Sequence, residues 1–166
     1  MRSPTALFIW LSVITFSLYF SGHLFDLSVI VPNWKLGDLE SIMRYRQFFH
    51  AATPRTYFNP VIFLGAVIPT IALILAWNIN MELRPSIGIT AITGIALLVF
   101  TLVYFDPKNE YLFYSGQLNG NVLETLVNQW VYGDIGRLFL SGVGFLASLN
   151  AMRTFYRRRP PFESQT

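Results

Sequence analysis

The stretch VLETLVNQWVYGDIGRLFLSGVGFLASLNAM, residues 122–152, decides the fold. It is an apolar run of helical length with one arginine, Arg137, in its interior. An arginine at such depth is costly in lipid, so it must face protein or water and have a partner. Trp130, Asp134, Arg137, Ser141, Gly144 and Ser148 share one stripe at helical spacing, polar at its start and small toward its finish. The residues Leu138 to Met152 separate Arg137 from the basic end of this helix, about 22 Å at the helical rise. Suitable partners lie at the matching end of the first long apolar segment, where His23 and Asp26 are three residues apart on one helical face. Asp134 is a nearer partner, one turn from Arg137 on its own helix.

Outward from this helix, three more apolar segments can cross a membrane: residues 5–31, 60–79 and 87–105. The chain has 166 residues, 53% hydrophobic and 13% charged, with a mean hydropathy of +0.45. An average soluble domain is about 25% charged, and its helices carry a polar face that these lack. The expectation is an all-α integral membrane four-helix bundle, a single domain over residues 1–166. The N-terminal segment reads as a retained helix, because its apolar run is longer than a signal-peptide core and Ser21-Gly22-His23 is a poor cleavage site.

Pro32-Asn33-Trp34 ends the first segment, with the tryptophan suited to a membrane interface. Residues 38–51 read as a short interfacial helix with Asp38 as N-cap and Leu39, Ile42, Met43 and Phe49 as its apolar side. The second span opens at Asn59-Pro60 and contains Pro69, expected to kink it. The third is rich in small residues, Thr90, Thr93, Gly94 and Thr101, that allow close helix contact. Residues 106–121 read as a polar, aromatic connection, and Asn121 with Glu124 as a capping pair for the last helix.

Arg153, Arg157, Arg158 and Arg159 make a basic tail over residues 153–166. With four spans, six Lys/Arg lie on the side of the termini and five on the other. The local cluster places both termini in the cytoplasm of a plasma (inner) membrane protein. His23, Asp26, Tyr104, Asn128, Asp134 and Arg137 then approach the outer half of the bundle. The charge of +3 marks topology and not a nucleic-acid surface. The absence of cysteine excludes disulfides, thiolate catalysis and iron–sulfur or cysteine-zinc sites. With two histidines and no His-x-x-x-His or Glu-x-x-His pair, no metal and no other cofactor is expected. No glycine-rich phosphate loop, Walker pattern or nucleophile elbow is present.

Two readings of the polar residues stand. His23, Asp26 and Arg137 form a catalytic or ligand-holding group, with Tyr19, Tyr104, Asn128, Trp130 and Asp134 as ligand contacts and Phe16 as a further aromatic wall. Alternatively Asp26 is the counter-ion of Arg137, His23 is a hydrogen-bonded interior residue, and the cluster fixes helix register. Arg44, Arg46, His50 and Arg55 are expected to anchor the outer connection at lipid headgroups.

Gly22-His23 leading to Pro32-Asn33-Trp34, then Tyr57-Phe58-Asn59-Pro60, then Trp130 and Arg137 resemble the anthrone-oxygenase-like family of small four-helix membrane proteins, mostly of unknown function. The resemblance spans nearly the whole chain. It implies a four-helix bundle and, for a few members, cofactor-independent oxygenation of tricyclic anthrones. From the residues, the expected functions are binding or oxidation of an apolar aromatic, quinone-like or lipid-like molecule, or a non-enzymatic accessory or structural role in a membrane complex. Transport would require oligomers. The expected partners are membrane lipid, an apolar small molecule, and a membrane protein or a second copy of the chain.

Overall fold

The architecture follows from a computed structural model describing residues 4–36, 38–79, 81–115 and 118–157. Five helices occur among the described residues: α1 (Pro4–Asn33), α2 (Leu39–Phe48), α3 (Pro54–Ala76), α4 (Leu83–Tyr114) and α5 (Gly120–Arg157). All but α2 are long and apolar enough to cross a membrane. The protein is an all-α membrane bundle. α1 packs on α3 and α5, α3 on α4, and α4 on α5, so the four long helices close a ring. Their outward faces carry exposed Leu7, Ile14, Leu18, Phe63, Ile74, Ile92, Phe139 and Leu146, an apolar surface suited to lipid.

The interior is layered. At one end, Ile9, Ala72, Ala76, Leu83, Ile87 and Ala151 pack together. Phe16, Tyr19, Val61, Ile62 and Leu97 fill the middle. At the α2 end, Val31, Trp34, Ile42, Phe105, Leu112, Leu123, Val127 and Trp130 form the largest cluster. Close approach of α3 and α4 rests on Gly94. A Cβ on Gly94 would overlap the Gly65 carbonyl, so the small-residue stripe on α4 does bring two backbones together.

α1 ends at Pro32-Asn33-Trp34 as the sequence indicates, with Pro32 inside its last turn. The helix widens over Asp26–Ile30, where the Val31 N–H reaches back five residues to the Asp26 carbonyl, then tightens over Val31–Asn33 with Pro32 near its first position. Several boundaries differ from the sequence reading, and prolines explain most of them. α3 opens at Pro54 and not Pro60. Thr53 is extended at φ −105° and ψ 161°, the conformation expected before a proline. Pro60 and Pro69 both lie within that helix. Most of the 106–121 connection is helix: a second wide segment, Thr101–Phe105, precedes Pro107, and α4 continues to Tyr114. The proline follows a bulge near a helical start, where its missing donor costs least.

α2 is capped as expected. Asp38 is extended and its side chain accepts from the Ser41 N–H at 2.6 Å. The Ser41 hydroxyl donates to the Trp34 carbonyl at 3.2 Å, tying α2 to the end of α1. Trp34 is no interface anchor. It is 1% exposed, edge-on to Trp130 at 5.0 Å and to Phe113 at 5.1 Å. At α5, the Asn119 side chain, not an Asn121–Glu124 pair, accepts from the Asn121 N–H at 3.0 Å. Arg158 and Arg159 of the basic tail lie outside the described residues.

Candidate functional site

The polar residues gather where α1, α4 and α5 meet below the α2 end of the bundle. On α5, the Asp134 and Arg137 side chains project inward one turn apart. Gly133 beside them makes room for α4: a Cβ there would come within 2.6 Å of the Tyr104 ring and 2.8 Å of the Phe105 ring. Arg137 Nε and Nη2 both donate to Asp134 Oδ1, at 2.9 and 2.5 Å. The guanidinium carbon lies over Phe105, 3.3 Å from the ring centroid, and 5.4 Å from that of Trp130. Trp130 Nε1 in turn donates to Asn109 Oδ1 at 2.7 Å, fixing the ring.

α1 supplies His23 to the same carboxylate, its Nδ1 3.0 Å from Asp134 Oδ1. His23 is fully buried, edge-on to Tyr19 and stacked on Phe58, both at 4.6 Å between ring centroids. Asp134 is the centre of the cluster, touched by a histidine from one helix and an arginine from its own. Among the described residues, Asp134 Oδ2, His23 Nε2 and the Tyr19 hydroxyl have no hydrogen-bond partner.

Asp26 stands apart from this pair. It is 5% exposed and makes neither an ion pair with Arg137 nor a hydrogen bond to any described side chain. It borders two cavities. One is a cleft of about 450 Å³ between α1 and the start of α3, lined by Ser21, Gly22, Phe25, Asp26, Ile30, Phe49, Ala52, Thr53, Pro54, Tyr57 and Phe58. The Tyr57 hydroxyl donates to the Leu18 carbonyl at 2.7 Å, holding that wall to α1. The other is a narrow polar cavity of about 50 Å³ reaching from Asp26, Thr101 and Arg137 toward Arg55, Asn59, Asp106 and Tyr114. Tyr45 of α2 also lines it. Burial first, and the charge of Asp26 second, push the Tyr45 phenol well above its ordinary pKa, so it stays protonated.

The structure thus divides the residues that the sequence grouped. His23, Asp134 and Arg137 come together with Tyr19 and Trp130 around them. Asp26 lies beyond, because a three-residue step turns a helix about 60° from full register and Phe58 separates His23 from the cleft. Phe16 and Tyr19 are core residues, 0% and 2% exposed, and wall no cavity. Asn128 is exposed, turned away from the cluster. Tyr104 lies outside as well: its hydroxyl donates to the Gln129 carbonyl at 2.8 Å and its ring carries the Lys108 ammonium at 3.6 Å. Arg46 is no headgroup anchor but a clamp, its Nε and Nη2 donating to the Leu112 carbonyl at 3.0 and 2.7 Å and its Nη1 to that of Ser115 at 2.8 Å.

Sequence reasoning did not assign Phe49, Tyr57, Phe58, Tyr45, Thr101, Phe105 or Asn109 to a site. The Tyr57-Phe58 pair was the available signal, two aromatics ahead of a proline in a helix that borders the polar one. Among the described residues no three His, Asp or Glu side chains are grouped to hold a metal ion. Compared with protein families, characterised proteins and solved structures, the chain matches none of them.

Proposed function

We propose that this membrane protein takes a flat apolar molecule, aromatic, quinone-like or lipid-like, from the bilayer into the cleft between α1 and α3, and holds its polar group at Asp26. The observation that carries the reading is the contrast within the cleft. Its walls are Phe25, Ile30, Phe49, Tyr57 and Phe58, and its one acidic group is a buried carboxylate to which no described residue donates. A buried polar group without a partner is costly. A ligand hydroxyl offsets that cost, or a ligand carbonyl does so when the carboxyl is protonated. The volume of about 450 Å³ falls within the range of small-molecule sites. In this reading both termini are cytoplasmic and the cleft lies in the outer half of the membrane. α2 lies in the interface plane, with Leu39, Met43 and Phe48 toward lipid. The resemblance to the anthrone-oxygenase-like family adds oxidation as a chemistry for such a molecule, but binding is what the geometry supports best.

A second reading is favoured by the cluster around Asp134. Its Oδ1 already takes the contacts of both His23 and Arg137, the arrangement of a register device in an accessory subunit. The test is retention of a radiolabelled short-tailed benzoquinone by the protein in lipid nanodiscs. Saturable retention above empty nanodiscs, abolished by Gly22→Leu, supports the cleft. Retention that only tracks lipid content contradicts it, and obligate copurification of another polypeptide would favour the second reading.

A further inference from the structure

Asp26 faces two different surroundings, and the second has a use of its own. On one side lies the apolar cleft. On the other lies the narrow cavity whose inner end holds Arg137 and the Thr101 hydroxyl, and whose mouth holds Arg55 and Asp106. The mouth residues are partly exposed, and their charged atoms sit 4.0 Å apart, a loose pair bridging α3 and α4. Arg55 also lies over the Tyr114 ring, and the Tyr114 hydroxyl donates to Thr53 Oγ1 at 3.1 Å. At the inner end, Asp26 and the Thr101 hydroxyl accept no hydrogen bond from the described residues. A cavity of about 50 Å³ exceeds the roughly 10–15 Å³ that one water needs, and its polar walls offer that water partners.

We propose that this cavity is a hydrated passage through which Asp26 exchanges protons with the aqueous phase at the α2 end of the bundle. A proton enters from water between Arg55 and Asp106, passes along hydrogen-bonded waters beside Asn109 and Tyr45, and comes to rest on an Asp26 oxygen. The return step releases it the same way. The titratable groups around Asp26 are Tyr45 on α2, Arg55 and Tyr57 on α3, Asp106 and Tyr114 on α4, and Asp134 and Arg137 on α5. Two of the three wide helical segments among the described residues begin at the passage, at Asp26 and at Thr101, and the third, Glu110–Tyr114, ends on its wall at Tyr114. Wide turns of this kind re-aim side chains and occur often at functional sites. The cleft then presents a group connected to water to whatever lies in lipid, a property that holds independently of what fills the cleft.

The chain contains no cysteine, so a single introduced thiol reports access without background. Asp26→Cys, Thr101→Cys and Ser21→Cys variants, with His23→Cys as the fully buried reference, are treated in nanodiscs with silver ion, a small hydrophilic thiol reagent, or with a lipid-soluble alkyl maleimide, and modification is read by intact mass. Thr101 lines only the passage and Ser21 only the cleft. The proposal expects silver to react with Asp26→Cys and Thr101→Cys at least tenfold faster than with His23→Cys, and the maleimide to modify Ser21→Cys but not Thr101→Cys. Silver that leaves both Asp26→Cys and Thr101→Cys unmodified overturns the passage. So does silver reaching Thr101→Cys but not Asp26→Cys. Modification of Asp26→Cys by the maleimide alone overturns it too, while leaving the cleft reading intact.

Discussion

Replacing Arg137 and Asp134 singly and together tests how the bundle tolerates charge in its core. The two are joined by paired hydrogen bonds of 2.9 and 2.5 Å, and both are nearly excluded from solvent. Arg137→Ala leaves Asp134 with His23 alone, and Asp134→Ala leaves a guanidinium supported only by the Phe105 and Trp130 rings. Breaking one partner of a buried pair costs on the order of 3–5 kcal/mol, because the other charge is left uncompensated. The double variant leaves no such charge, so its loss should fall short of the sum of the single losses by about 3 kcal/mol, the upper range for residues in one network. The same cycle with Asp26 in place of Asp134 should give a much smaller coupling, since Asp26 makes no ion pair with Arg137. Reversible unfolding in mixed detergent micelles measures both cycles. Additive losses for Arg137 and Asp134, or an equal coupling to Asp26, would refute the pairing.

Gly94→Val should destabilise the bundle by at least about 1–3 kcal/mol, because the new side chain meets the Gly65 backbone. Gly88→Ala on the same helix, with nothing within 4 Å of the added Cβ, should be neutral or stabilising in the same unfolding assay. Arg46→Ala should loosen the end of α4 by about 1.5–3 kcal/mol through its lost charged hydrogen bonds, and Arg46→Lys should recover only part, since one ammonium nitrogen replaces the three guanidinium nitrogens that reach the Leu112 and Ser115 carbonyls. Amide exchange of residues 110–115 reads this, and exchange unchanged in Arg46→Ala would count against the clamp. The Ser41 N–H holds the Asp38 carboxyl below its ordinary value of 3.8. A depressed folded-state pKa contributes stability that is fully present above 3.8 and lost as pH falls through the folded value. Protection of α2 amides should therefore drop on acidification below 3.8 in the parent and lose that pH dependence in Asp38→Asn.

The bundle was legible because its signals are long. Four apolar runs with few charges specify spanning helices whatever their detailed packing, and the Asp38 cap needs only its own local backbone. Helix ends are less legible where a proline lies inside a helix. Pro32 and Pro107 each follow a widened turn, and a wide turn leaves no mark in hydrophobic periodicity. The polar cluster was half legible. Arg137 demands a partner, and the sequence offers both Asp134 and Asp26, but which carboxylate serves it depends on side-chain direction. Trp34 was misplaced for a related reason: α2 and the extended α4 fold over it, and a tertiary cover cannot be seen from a Pro-Asn-Trp sequence. The cleft leaves little trace in the sequence beyond the Tyr57-Phe58 pair, since Phe25 and Phe49 look like lipid-facing residues until the chain between α2 and α3 is placed beside them.

The most direct test of the cleft is photolabelling with an azido-benzoquinone in nanodiscs, followed by mapping of the modified residues. The account predicts that label concentrates within residues 21–30 and 49–58, is displaced by excess unlabelled benzoquinone, and falls away in Gly22→Leu. Label spread along the lipid-facing residues Ile74, Ile92, Phe139 and Leu146, and indifferent to competitor, would contradict it.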